Sequence, residues 1–225
     1  MKTETVYKQL MAYVNTLSEN DQTFITRMVE REETAKAPYV NLMHISNLLI
    51  ALKEEMRKEY AKANGRTDAL KAAKSIAKSA EKISRPGFSG AAMADGEQVF
   101  MDGFRMLVLQ SPIEFATAPA AADIVDIKRN LFASLSGYDK PLDLPTIDQL
   151  KLHIATAKAN NPKDKQPAYD FGDGLPRVNA NYLLDMLLAI PNAKARYSGS
   201  LTAAIRFDGD GVYGFLMPCH KDRTA

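Results

Sequence analysis

NANYLLDMLLAIPNAKARYSGSLTAAIRFDGDGVYGFLMP, residues 179–218, decides the fold class. Residues 179–190 predict a short helix ended by Pro191. Three strand-like runs follow at 194–198, 201–207 and 212–217, with Gly209-Asp210-Gly211 turning between the last two. The same order occurs upstream. Residues 68–82 (DALKAAKSIAKSAEK) are an Ala-rich helix of high intrinsic propensity. Beyond Arg85-Pro86 come short β-like runs around the Asp95-Gly96 turn, leading through Val99-Phe100-Met101 to Met106-Leu107-Val108-Leu109. Helix followed by strands, twice, predicts an α+β domain over residues 63–225 whose architecture is duplicated. Between the two halves, helices are expected at about 121–135 and 146–158, the second started by Pro145-Thr146, with a polar loop at 160–167.

Ahead of this domain, residues 1–62 read as helical. Val6, Leu10, Tyr13, Val14 and Leu17 recur at helical spacing, and Ser18-Glu19-Asn20-Asp21 offers a cap. Phe24, Ile25, Met28 and Val29 form a second stripe that ends near 31–36, with Pro38 marking a break. Ile45, Leu48, Leu49, Leu52 and Met56 form a third. Three amphipathic helices with short connections predict a small bundle or a dimerising hairpin, so a homo-oligomer through residues 1–62 is one expectation. Ala61 to Arg66 reads as the hinge to the second domain.

With 46% hydrophobic and 25% charged residues in 225, the composition is that of a globular chain. The single cysteine, Cys219, has no internal disulfide partner, and three histidines (His44, His153, His220) show no zinc spacing. No apolar run approaches the roughly 20 residues of a membrane span, and MKTETVYKQL lacks the apolar core of a signal peptide. A cytoplasmic protein without membrane partner, metal or cofactor is expected.

The formal net charge is +2, so any affinity for a polyanion depends on where charges sit. Residues 61–90 hold seven basic groups (Lys62, Arg66, Lys71, Lys74, Lys78, Lys82, Arg85) against two acidic ones (Asp68, Glu81), a local charge of +5. Lys71, Lys74, Lys78 and Lys82 share one helix face, while Leu70, Ala73, Ile76, Ala77 and Ala80 point elsewhere. Such a face is either a solvated surface or a row of phosphate contacts, which ammonium groups make without reading bases. Asp102-Gly103-Phe104-Arg105 reads as a hairpin turn. Asp170-Phe171-Gly172-Asp173-Gly174 and Asp208-Gly209-Asp210-Gly211 lack the ligand spacing of a calcium loop and read as turns. Cys219-His220 would point to opposite faces of a strand, and there is no P-loop or GxSxG pattern, so no enzyme mechanism emerges. Gln149-Leu150-Lys151-Leu152-His153 has the look of a short clamp-docking peptide but lies inside a predicted helix and lacks the terminal aromatic.

The segment Arg177–Leu187 (RVNANYLLDML) is similar to the "FNxxYLLDAL" strand-to-helix segment of the bacterial DNA polymerase III β sliding clamp family. Ser198–Ile205 (SGSLTAAI) resembles that family's "GPLSPxxI" strand, and Phe215-Leu216-Met217-Pro218 its terminal "VMP" strand. Upstream, Phe88-Ser89-Gly90, Val99–Met106 (VFMDGFRM) and Gln110-Ser111-Pro112-Ile113 resemble the run "YLNG … TDGHRLAV … MPI". The resemblance implies a DNA-clamp-like fold over residues 63–225, where family subunits carry several such domains and close into a ring. It also implies that the Lys-striped helix lines a DNA channel, with Lys71, Lys74, Lys78, Lys82, Arg66 and Arg85 meeting phosphates. Gly103, Arg105, Met106, Phe215, Met217 and Pro218 fall on the family's peptide-binding cleft, which in clamps is built from neighbouring domains; here all six lie in one domain. The expected function is a non-catalytic, clamp-like replication accessory factor of phage or mobile-element type, holding duplex DNA without sequence specificity. The alternative is a protein-interaction module or clamp mimic that binds a replication, repair or host-defence protein.

Overall fold

In the computed structural model the described residues are 2–31, 40–80, 90–113, 122–133 and 137–219. The chain forms two compact units, Met1–Thr67 with Ile113–Ala118, and Asp68–Pro112 with Pro119–Ala225.

The first unit contains α1 (Lys2–Val14), α2 (Glu19–Arg31) and α3 (Val40–Ala63). Val14, Ile25, Val29 and Leu49 are buried at its centre, with Tyr7, Leu10, Leu17, Phe24 and Ile45 packed around them. The α1–α2 corner is closed by polar atoms. Ser18 Oγ accepts the Asp21 N–H at 3.3 Å, and Gln22 Nε2 donates to the carbonyls of Leu17 and Asn15 at 2.8 and 3.2 Å. Those bonds satisfy backbone groups that helix ends leave open. Of the expected α3 stripe, Leu49 and Met56 are fully buried, but Leu48 is 51% exposed. It sits one residue, about 100°, off the inward line that Ile45, Leu49 and Met56 follow. Gly65, at φ +65°, ends α3: the Arg66 N–H reaches the Ala61 carbonyl at 2.7 Å and the Gly65 N–H that of Lys62 at 3.3 Å. This 6→1 and 5→2 pair is a Schellman cap.

The second unit begins within the first turn of α4 (Thr67–Ala80), followed by β1 (Gly90–Ala94), β2 (Glu97–Met101), β3 (Arg105–Leu109) and α5 (Ala122–Ala133). It continues through β4 (Lys140–Leu142), α6 (Ile147–Asn160), β5 (Ala168–Asp170), β6 (Arg177–Asn179) and α7 (Ala180–Ala189) to β7 (Lys194–Tyr197), β8 (Ile205–Asp208) and β9 (Val212–Leu216). Seven strands form one sheet in the order β1-β2-β3-β9-β8-β7-β4, and β5 pairs with β6 apart from it. All pairings are antiparallel. The domain is therefore α+β, with the succession helix, then three-stranded meander, occurring twice (α4-β1-β2-β3 and α7-β7-β8-β9) and the two meanders meeting at β3 and β9.

Turn chemistry sets the hairpins. Ala94 pairs with Glu97, leaving a two-residue loop in which Asp95 (φ +55°) and Gly96 (φ +80°) both take the left-handed conformation a type I′ turn requires. The register then assigns the two faces of the sheet. Ala92, Val99, Val108, Tyr213 and Arg206 lie on one side; Phe100, Leu107, Gly214 and Phe207 lie on the other. On the first side Ile124, Ile127 and Leu131 of α5 pack over Ala92, Val99, Met106, Val108 and Phe215. On the second lies α7, so close that any side chain at Gly214 would collide with Met186 and the Met106 carbonyl.

Several expectations shift. The run expected at 201–207 is a strand only from Ile205, and Leu201 is exposed. The polar stretch Ser198–Thr202 is tied by short side-chain bonds, including Ser200 Oγ to Thr202 Oγ1 at 3.2 Å, which compete with a ladder. Strands β4 and β5 lie where no strand is expected from sequence, whereas β6 running into α7 is the strand-to-helix order that the resemblance of Arg177–Leu187 implies. The predicted helix at 146–158 is α6, opened by a capping box in which Thr146 Oγ1 accepts the Gln149 N–H at 3.2 Å and Gln149 Oε1 accepts the Thr146 N–H at 2.8 Å. Leu150 of the Gln149–His153 stretch is fully buried within α6, so that stretch is an ordinary helix turn.

Candidate nucleic-acid face and the Arg105 cluster

α4 is amphipathic in the sense the sequence predicts. Ala69, Leu70, Ala72, Ala73, Ile76 and Ala80 are buried, Lys71 and Lys78 are exposed, and Lys74 is half-buried at the border. Lys71 Nζ lies 2.8 Å from Asp68 Oδ1, but both side chains are largely in solvent, so this pair holds the lysine loosely. Arg66 stands in the cap before α4, while Lys82 and Arg85 lie outside the described residues.

Beside this face sits a densely bonded polar cluster. Arg105, 2% exposed, donates from Nε and Nη2 to Asp102 Oδ2 at 3.0 and 2.8 Å. Its Nη1 donates to Asp185 Oδ2 of α7 and reaches Ser75 Oγ of α4 at 3.4 Å. Ser75 Oγ in turn donates to Asp185 Oδ2 at 2.8 Å. The guanidinium also stacks on the Tyr182 ring, 4.0 Å from its centroid. Asp102 is fully buried, and its other oxygen accepts the backbone N–H groups of Phe104 and Arg105 at 3.0 and 2.8 Å. The tetrapeptide Asp102–Arg105 is thus a turn, as expected, and also the anchor that holds α4 and α7 side by side on one sheet face. Asp102 three residues before Arg105 was a visible signal for the first pairing. Nothing local announced Ser75, Tyr182 or Asp185, although Asp185 is the only charge in α7.

The six residues assigned to a peptide cleft lie on adjoining segments in and beside β3 and β9 but not on one face, because strand alternation turns Arg105 toward α4 and α7 and Met106 and Phe215 toward α5. Arg105 pairs with Leu216 and Met106 with Phe215 across β3 and β9, and the Met217 N–H donates to the Phe104 carbonyl at 2.8 Å. Their exposure differs, however. Met106 and Phe215 are buried in the core under α5, and Arg105 is enclosed by its carboxylates. Gly103 and Met217 are at the surface and Pro218 is half-buried. Phe104, absent from the expected set, is 50% exposed beside Met217 at 40%, with its ring 6.2 Å from that of Tyr182.

On the opposite sheet face a cavity of about 330 Å³ is lined by Asp95, Glu97, Gln110, Lys128, Arg129, Arg206, Asp208 and Tyr213. Its charges are mutually satisfied. Lys128 Nζ lies 2.6 Å from Glu97 and 3.0 Å from the Ala94 carbonyl, Arg129 is 3.1 Å from Asp95, and Arg206 is 2.6 Å from Asp208. Burial, and then the hydrogen bond to Glu97 at 2.5 Å, push the Tyr213 hydroxyl well above the ordinary tyrosine range. The bond from Arg129 holds Asp95 below the usual carboxylate range.

Among the described residues there is no group of three His, Cys, Asp or Glu side chains placed to hold a metal ion. Asp170 is engaged in a local turn, accepting the Gly172 N–H at 3.0 Å, and Asp208 is engaged by Arg206. Cys219 is exposed, and His220 lies outside the described residues. No helix among the described residues is long and apolar enough to cross a membrane. No protein-family model matches the chain, and no curated protein or solved structure matches it either.

Proposed function

We propose that this protein is a non-catalytic, sliding-clamp-like DNA-binding protein that holds duplex DNA without reading its sequence and serves as a replication accessory factor in the cytoplasm. The observation that carries this reading is the outward face of α4, where Lys71 and Lys78 stand in solvent with Lys74 at their border, opposite a wholly apolar inner face. Ammonium groups in a row on a rigid helix suit phosphates, whose condensed counterions they displace. The repeated helix-and-meander order and the resemblance of residues 177–187, 198–205 and 215–218 to clamp segments give the same direction.

The test is fluorescence anisotropy with two unrelated duplexes over a range of salt. Equal affinity for both is expected, with log K falling steeply against log salt. The three α4 lysines account for about −2.7 of that slope. Lys71→Glu, Lys74→Glu and Lys78→Glu together should abolish binding at physiological salt. Unchanged binding by that triple variant would sink the proposal.

One observation favours a second reading, a protein-interaction module or clamp mimic. Phe104 and Met217 form an exposed apolar pair at the ends of β3 and β9, with Tyr182 behind them. Capture of a replication, repair or host-defence protein that survives high salt and is lost in Phe104→Ser would favour this reading, because apolar contacts outlast screening.

A further inference from the structure

Arg105 and Ser75 place α4 and α7 side by side on one face of the sheet, yet the two helices differ in charge. α7 (ANYLLDMLLA) contains no lysine or arginine, and α6 packs against it, burying Leu150 and Ile154. α6 therefore lies on the same side of the sheet as α4, packed on the helix whose Asp185 is bonded to Ser75 of α4. This segment has its own cations. Lys151 and Lys158, seven residues apart, lie on one side of α6, and Lys163 and Lys165 follow in the loop. The other flank of α6 is taken by the β5–β6 hairpin, where His153 Nε2 donates to the Ala168 carbonyl at 2.8 Å. All four lysines are exposed, and none forms an ion pair with a described residue. Asp148 and Asp164 are the only acids between residues 147 and 166, and Asp164 accepts the Gln166 N–H at 2.9 Å.

We infer that Lys151 and Lys158, continued by Lys163 and Lys165, form a second row of phosphate contacts for the same duplex, so that the DNA face is shared by α4 and α6. This rests on the DNA-binding reading of α4. Lys151 and Lys158 stand about 10 Å apart along the helix axis, the length of about three base pairs. Two point charges at that separation meet the backbone without needing any base contact. The segment 147–166 falls between the two helix-and-meander halves and belongs to neither, so this row is an addition of this chain to the repeated scaffold.

Anisotropy titrations of the full chain against one duplex at several salt concentrations test the inference with two variants in parallel. Lys151→Gln with Lys158→Gln should weaken binding on the order of tenfold at physiological salt and reduce the magnitude of the log–log slope by about 1.8, the equivalent of two lost contacts. Lys71→Gln with Lys78→Gln serves as the reference for α4. Both pairs are exposed, so neither substitution disturbs packing. If the α4 pair loses affinity and slope while the α6 pair keeps both, the second row does not exist and the α4 reading stands. If neither pair changes anything, or if the wild-type chain does not bind the duplex, the reading and the inference fail together.

Discussion

Replacing Arg105 by Met keeps the side-chain volume and removes the charge at the centre of the α4–α7 anchor. Asp102 would then be a fully buried carboxylate without its cation, and Asp185 would lose its strongest donor. Breaking a buried pair from one side costs about 3–5 kcal/mol, because the orphaned charge remains desolvated. Two features moderate that figure here. Asp102 keeps its bonds from the Phe104 and Arg105 backbone N–H groups, and Asp185 is 29% exposed and regains water. A loss of about 3 kcal/mol is expected, a large share of the roughly 5–15 kcal/mol by which a domain is stable. Urea unfolding followed by tyrosine fluorescence measures it, with the transition of the second unit fitted separately from that of the helical unit. Arg105→Met with Asp102→Asn should recover part of the loss, since the second change removes the stranded charge. A single variant whose midpoint stays at the wild-type value would refute the assignment of Arg105 as the anchor.

Other expectations follow from single contacts. Gly214→Ala forces a methyl against Met186 and the Met106 carbonyl and should destabilise the second unit by about 1–3 kcal/mol, read by the same unfolding curves. Thr146→Ala removes the capping box of α6 and should lower stability by about 1 kcal/mol, with earlier amide exchange in the first turn of that helix. The raised pKa of Tyr213 means that the folded chain holds that proton more tightly than the unfolded one. Its contribution to stability is therefore complete below the unfolded value of about 10 and is lost as pH rises above it. Alkaline spectrophotometric titration should show a tyrosine that ionises late, and Tyr213→Phe should remove it.

Where structure followed from neighbours in sequence, the sequence was readable. The Asp95-Gly96 turn fixed a hairpin because both residues tolerate positive φ. The alternation of lysine and alanine gave α4 its two faces. What stayed hidden has a common physical origin. β4, β5 and β6 are three residues each, too short for any period to show, so that β6 was legible only through the resemblance of Arg177–Leu187, and Pro141 in β4 argues against a strand except at the sheet edge where it lies. The Ser75–Asp185 bond joins residues 110 apart, and the Arg105–Asp185 pair spans 80. Their partners are chosen by how sheet and helices pack, a decision that no local spacing records. The exposure of Leu48 and the enclosure of Met106 and Phe215 are of the same kind. The type of side chain was legible, while its direction depended on which element came to lie over it.

β9 is the last strand described in chain order and yet lies in the middle of the sheet, hydrogen-bonded to β3 on one side and β8 on the other. As the chain leaves the ribosome, β1, β2 and β3 can pair as soon as residue 109 is free, but β3 has no second neighbour until residue 212 emerges. All five residues of β3 are buried in the finished sheet, so throughout that interval an apolar strand edge is open to any other chain that offers a matching one. Nascent chains, and products of messages that stop before Val212, are in consequence the forms of this protein most in need of a chaperone.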